Sequence, residues 1–151
     1  MKKWKTHSIA PNAPRAEDIF MSNKNYTVGD TFKLVRTCDP YRPIYYAAAS
    51  GDFNPIHIDP EVGREAGLGG AILQGLCTLA WAVDAFVGYL GDPGKVSGVK
   101  VRFSRPVAPH DVVTFVGTVI SVDNGKVVAE IEAINQREEF VLKGATVEGR
   151  L

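Results

Sequence analysis

Only two cysteines, Cys38 and Cys77, occur in the 151 residues, far apart and in no CxxC pair. A disulfide scaffold or a cysteine-based structural zinc site is therefore not expected. An excess of charge of one sign is also missing: seventeen Lys and Arg balance seventeen Asp and Glu. No global field marks nucleic acid or an anionic membrane as a partner, although a local patch can still grip a phosphate. Long apolar runs are lacking too. The longest, Leu76 to Leu90, is interrupted by Thr78 and Asp84 and is too short to span a bilayer. The opening "MKKWKTHSIAPNAPRAEDIF" is basic but has no apolar segment behind it, which makes a poor signal peptide. No period of the length used by solenoids or propellers repeats. The expectation is a reduced, cytoplasmic enzyme or binding domain.

What remains is ordinary for one folded domain: 45% hydrophobic and 23% charged residues, and a mean hydropathy of -0.04. Residues 1–25, with two prolines and no hydrophobic period, read as an N-terminal arm that Trp4 and Phe20 can pin to a surface. From residue 26 to 151 the chain reads as a single domain. "YTVGDTFKLVRTC" (26–38) is rich in β-branched and aromatic residues, as a strand is. Asp39 and Pro40 open a helical stretch to about Ser50, and Asp59 with Pro60 start a short helix that Gly67, Gly69 and Gly70 end. "GLCTLAWAVDAFVGYL" (75–90) is apolar on nearly every face, with Asp84 its one charge, and reads as a central buried helix. Four β-rich runs follow, 96–107, 111–123, 126–136 and 138–149. The DNG at 123–125 marks a type I′ hairpin between two of them. The order implies an α+β fold, an antiparallel meander wrapped around the apolar helix.

The stretch "SGDFNPIH" (50–57) is turn chemistry by composition, since Gly51, Asp52, Asn54 and Pro55 are favoured turn formers. It also carries one of only three histidines, His57, five residues from Asp52 across a stiff proline. An imidazole and a carboxylate sharing one water make an acid–base pair that works near neutral pH. A metal site built on His57, Asp59 and Glu61 is the alternative, but zinc and calcium both ask for more ligands. Gln74 and Gly75 precede the apolar helix, whose first N–H groups lack intrahelical partners and lie at the positive end of its dipole. Such a terminus can hold an oxyanion, and Gly75 has no Cβ to block approach, although it can equally do no more than start a helix. "KVRFSRP" sets Lys100 and Arg102 on one face of a strand and Val99, Val101 and Phe103 on the other, with Arg105 beyond. Any half-buried strand looks like this; a phosphate-bearing ligand is the functional alternative. Cys77 reads as a core residue, not a nucleophile. Ser50, Ser104 and His110 stand in no serine-nucleophile context.

The stretch "YYAAASGDFNPIHIDPEVGREAGLGGAILQGLCTLAWAV" resembles the hydratase-2 motif of the MaoC-like dehydratases, (R)-specific enoyl-thioester hydratases of the hot-dog fold. "GDPGKVSGVKVRFSRPVAPHDVV" is similar to the strand region of the same family, and the likeness covers about residues 26–148. The resemblance implies a single hot-dog domain that reversibly hydrates trans-2-enoyl thioesters of coenzyme A or acyl carrier protein to (3R)-hydroxyacyl thioesters. It implies Asp52 and His57 as the catalytic pair, Asn54 as the residue shaping the loop, and the Gly75 N–H as the contact to the thioester carbonyl. Many relatives carry histidine where this chain has Gln74, a departure that bears on local polarity and substrate choice. Lys100, Arg102 and Arg105 are weaker candidates for gripping the phosphates of the carrier. No metal or cofactor is implied beyond the carrier on the substrate. One hot-dog unit needs a second chain to complete its pocket, so a homodimer or larger homo-oligomer, or a heterodimer with another hot-dog subunit, is expected. A hot-dog acyl thioesterase and a non-catalytic acyl-binding subunit are the competing readings; the second should lack the Asp/His pair.

Overall fold

The computed structural model describes residues 25–151; the arm expected over 1–25, with Trp4 and Phe20, lies almost wholly outside them. The elements run β1 (Thr31–Thr37), α1 (Arg42–Ser50), a 3₁₀ turn (Pro55–His57), α2 (Pro60–Glu65), α3 (Gly75–Leu90), a 3₁₀ turn (Pro93–Lys95), β2 (Val96–Lys100), β3 (Val112–Asp123), β4 (Lys126–Asn135) and β5 (Phe140–Arg150). The strands form one antiparallel sheet in the order β1-β3-β4-β5-β2. Alternation builds it: Val113, Phe115 and Val119 of β3 and Val127, Ala129, Ile131 and Ala133 of β4 all point inward and are buried. Each large aliphatic buried this way contributes about 1.5–3 kcal/mol. Asn124 and Gly125 take positive φ of 49° and 72°, and Asp123 pairs with Lys126, which is the geometry of the type I′ hairpin.

Helix α3 packs across this sheet through Cys77, Trp81, Ala82, Ala85, Phe86, Tyr89 and Leu90. Gly149 of β5 permits the approach, since a Cβ there would lie 2.6 Å from a Leu90 methyl group. The sheet on the inner face of α3 leaves the outer face of the helix uncovered. Leu76, Ala80, Asp84 and Gly88, spaced by four, are exposed. The sequence hides this difference, because Leu76 and Ala80 are as apolar as the residues that face the core.

Two expectations are corrected. The four C-terminal strands are not one meander: β3, β4 and β5 are, but β2 crosses to the far edge and pairs with β5. The first of those runs also ends as a strand at Lys100, not at 107. Beyond it the chain keeps only a single bridge, Phe103 to Leu142, and then the hydrogen bond from Ser104 N–H to Val141 O. The two-faced pattern expected for "KVRFSRP" fails accordingly, with Val99 and Phe103 exposed alongside Lys100 and Arg102. Freed from the ladder, residues 103–107 fold over the head of α3, and that sets the wall of the cleft described next.

Candidate active site

Helix α1 ends at Gly51, whose φ of 77° reverses the chain while its N–H caps Ala47 O at 2.8 Å. The next residues form a chain of local turns. Asp52 N–H donates to Ser50 Oγ at 3.2 Å, Asn54 N–H to Asp52 Oδ1 at 3.3 Å, and Ile56 N–H to Asn54 Oδ1 at 3.3 Å. Asn54 thus shapes the loop, and it does so through its own side chain, as an Asx turn does. Pro55 then starts the 3₁₀ turn that carries His57 inward.

His57 is 9% exposed, and its Nδ1 lies 2.8 Å from Ile72 O. A carbonyl only accepts, so Nδ1 carries the proton and donates, and the neutral ring presents an unprotonated Nε2. That Nε2 faces Asp52 Oδ2 at 3.6 Å. The separation exceeds a direct hydrogen bond, so the pair is adjacent but not closed upon itself. The Asp52 side chain is 46% exposed, while its other oxygen is held by Asn54 N–H.

A cleft of about 330 Å³ is lined by His57, Ile72, Gly75, Thr78, Phe103 and Arg105, among others; Asp52 is not among the lining residues and stands next to His57, 3.6 Å from its Nε2. Gly75 begins α3, and none of the hydrogen bonds among the described residues uses its N–H. The Phe103 ring rests on it: a Cβ at Gly75 would stand 3.2 Å from the ring. Glycine thus lets the ring sit close, and a larger residue here would push the ring by a few tenths of an ångström. The wall is mostly apolar, with polar side chains from His57, Thr78, Ser104 and Arg105, which suits a ligand with a greasy chain and a polar head.

The other expected residues divide. Arg105 lines the cleft mouth, its Nε 3.7 Å from Glu139 Oε1, and 61% of its side chain is exposed. Lys100 and Arg102 do not line the cleft. Gln74 does not face it either: it is 1% exposed and turned toward the carbonyl oxygens of Pro43 and Asp52. The alternative metal donors are engaged elsewhere, because Asp59 Oδ1 caps α2 through Glu61 N–H at 2.8 Å and Glu61 pairs with Arg64. Burial pushes the Cys38 thiol up to about 12 and also raises Cys77, so neither supplies a thiolate near neutral pH.

Residue-by-residue reading of the sequence missed the segment Ile72–Gly75 as a unit. Ile72 N–H donates to Ile56 O at 3.1 Å, Ile72 O accepts a hydrogen bond from His57 Nδ1–H, and Leu73 N–H donates to Val107 O at 2.7 Å. These are main-chain groups, which no side-chain pattern announces. Phe103 was hidden for a different reason, since a phenylalanine inside an apparent strand reads as core.

Comparison with known proteins gives the family and the fold. The sequence pattern described as "MaoC like domain" matches residues 24–140. The chain belongs to the MaoC-like family. Among curated relatives of this MaoC-like chain, the peroxisomal enoyl-CoA hydratase 2 of Arabidopsis thaliana is 35% identical over 97 residues, 63% of this chain and 30% of that protein. The peroxisomal multifunctional enzyme type 2 of Drosophila melanogaster is 50% identical over 62 residues, 40% of this chain and 10% of that one. The chain thus spans between a tenth and a third of the length of these two relatives. Among solved structures, the (R)-hydratase of A. caviae superposes with a TM-score of 0.77 over 85% of this chain and 99% of that one, at 22% identity. The fold is the hot-dog fold, an antiparallel sheet packed on one long helix.

A second charged cluster lies on the β-sheet side. Asp111, 2% exposed, accepts from Ala108 N–H, from Gln136 Nε2 at 2.7 Å, and from Arg137 Nη1 and Nη2 at 2.8 and 3.2 Å. Burial alone raises the pKa of this carboxyl. The hydrogen bonds from Arg137, Ala108 and Gln136 outweigh that and hold it below the ordinary carboxylate value. Among the described residues, no helix is long and apolar enough to cross a membrane.

Proposed function

We propose that this chain reversibly hydrates trans-2-enoyl thioesters to (3R)-hydroxyacyl thioesters. The observation that carries the reading is the contact of His57 Nδ1 with Ile72 O at 2.8 Å: a carbonyl accepts, so Nδ1–H donates to it and Nε2 is left as a base beside Asp52 at a 3.6 Å gap. A water hydrogen-bonded to both groups sits at the apex of that triangle. His57 Nε2 takes its proton as the oxygen adds to C3, Asp52 orients the water, and the proton required at C2 returns from the same pair. Electron density that leaves the double bond collects on the thioester oxygen. The free Gly75 N–H at the head of α3 stabilises it, and loss of one such donor typically costs about 3 kcal/mol. Addition of water to an activated alkene is redox-neutral, and the named residues supply its proton transfers. Arg105 at the cleft mouth is the candidate for a carrier phosphate, and it takes precedence over Lys100 and Arg102, which lie outside the cleft.

A second copy of the chain, or another hot-dog subunit, completes the pocket in this reading. The open cleft and the uncovered apolar residues of α3 and the loop, Leu76 at 61% and Phe53 at 58% exposure, favour it. The direct test supplies a short enoyl-CoA and follows its conjugated ultraviolet absorbance. Hydration consumes that absorbance without releasing thiol. Free thiol with the conjugation intact would instead establish a thioesterase.

A further inference from the structure

Among the described residues, the loop that carries Asp52 makes one hydrogen bond to a residue distant in sequence. Gly51, Asp52, Phe53 and Asn54 are all exposed, and their hydrogen bonds run to near neighbours, Ala47, Ser50, Ile56 and His57 or one another. The single exception comes from Gln74, whose Nε2 donates to Asp52 O at 3.3 Å and to Pro43 O of α1 at 3.0 Å. Among the hydrogen bonds of the described residues, no other reaches Asp52 O.

We infer that Gln74 is a positioning residue, whose buried amide ties the Asp52 main chain to the residue directly before Gly75 and so fixes the acid–base pair relative to the carbonyl-binding N–H. The inference rests on the hydratase reading for its catalytic meaning, but the tie itself is a matter of geometry. Gln74 belongs to the segment whose neighbours already hold the other parts of the site. Ile72 holds the His57 ring and Gly75 carries the free N–H. One stretch of four residues thus sets base, acid and oxyanion donor, and Gln74 supplies the acid's share.

The unused half of the amide separates this role from packing. Gln74 Oε1 is buried and has no hydrogen-bond partner among the described residues. An unpaired buried acceptor is unfavourable, and an apolar side chain of the same length would avoid it. Packing alone therefore favours methionine at this position. The glutamine is explained by its two N–H bonds, which methionine cannot make.

The test compares wild type with Gln74→Met, which keeps the shape and removes the donors, and Gln74→Glu, which keeps the shape and places acceptors against the two carbonyls. Both are checked for folding by circular dichroism and assayed with a short enoyl-CoA. Displacement of Asp52 by a fraction of an ångström should lower kcat about 30-fold in the methionine variant while KM stays within about twofold, and the glutamate variant should be at least as impaired. An independent reading follows the titration of the His57 ring by NMR, where Gln74→Met should move the midpoint toward that of Asp52→Asn. A folded Gln74→Met protein with wild-type kcat, or with an unmoved His57 midpoint, overturns the inference. If wild type hydrates no enoyl thioester the hydratase reading falls, and the His57 titration then decides the tie by itself.

Discussion

Two carboxylates of this protein stand beside a basic side chain, and they are built in opposite ways. Asp111 is buried and accepts four hydrogen bonds, two of them from the fork of Arg137. Asp52 is half exposed, takes one N–H on Oδ1, and leaves Oδ2 at 3.6 Å from His57. A saturated carboxylate has no capacity left for a substrate, so its free energy goes into the fold. An unsaturated one beside a base with a defined tautomer has capacity for one more molecule. The contrast separates a structural ion pair from the pair proposed to react, on geometry alone.

Breaking the reactive pair should give the largest effect, and on rate alone. His57→Gln is expected to lower kcat for enoyl-CoA hydration about 1,000-fold, the usual worth of a positioned base. Its melting temperature should stay within a few degrees of wild type.

Breaking the structural pair should do the reverse. Asp111→Ala removes an acceptor from four donors, one of them the Ala108 N–H, and is expected to lower unfolding free energy by about 2 kcal/mol in denaturant titrations. The figure sits at the low end because half of the Arg137 side chain is exposed and regains water. The kcat of the folded fraction should not change.

A pH series sharpens the same point. The carboxyl of Asp111 is held below its ordinary value, so its contribution is present above the unfolded-state pKa of about 3.9 and is lost as pH falls through the lower folded-state value. Stability measured from pH 7 downward should therefore fall less steeply below about pH 4 in Asp111→Asn than in wild type. An equal slope in the two proteins would remove Asp111 from the account of acid stability.

Smaller effects are expected at the rim of the cleft. Gly75→Ala places a Cβ 3.2 Å from the Phe103 ring, and the ring, exposed on one side, can yield. A drop of about tenfold in kcat/KM is expected, as the N–H is partly covered and the carbonyl misplaced. Phe103→Leu in the same chain should recover part of it. Arg105→Ala should raise KM a few-fold for coenzyme A substrates and leave a truncated thioester lacking the nucleotide unaffected.

Much of this was legible in the sequence. Helix α3 runs over the same residues, 75–90, that apolar composition and the flanking glycines mark out, and the DNG turn sits where a type I′ hairpin belongs. Asp52 and His57 were legible as a pair because a proline turn limits where the chain between them can go. The rest was not, for physical reasons. Strand β2 lies at the far edge because of long-range pairing with β5, which local alternation does not encode. Of the outer stripe of α3 only Asp84 differs from the inner face by its charge, since Leu76 and Ala80 are apolar whether or not the sheet covers them. Gln74 sits beside the glycine that opens the helix and invites a substrate-facing role, yet its side chain turns inward to two carbonyls that carry no side-chain signature.

The most direct test of the central claim is a single assay of wild type, His57→Gln and Asp111→Asn with a short trans-2-enoyl-CoA, following conjugated absorbance and free thiol together. The account predicts loss of absorbance without thiol in wild type and in Asp111→Asn, and a loss about 1,000-fold slower in His57→Gln. Hydration that persists at the wild-type rate in a folded His57→Gln protein would contradict it.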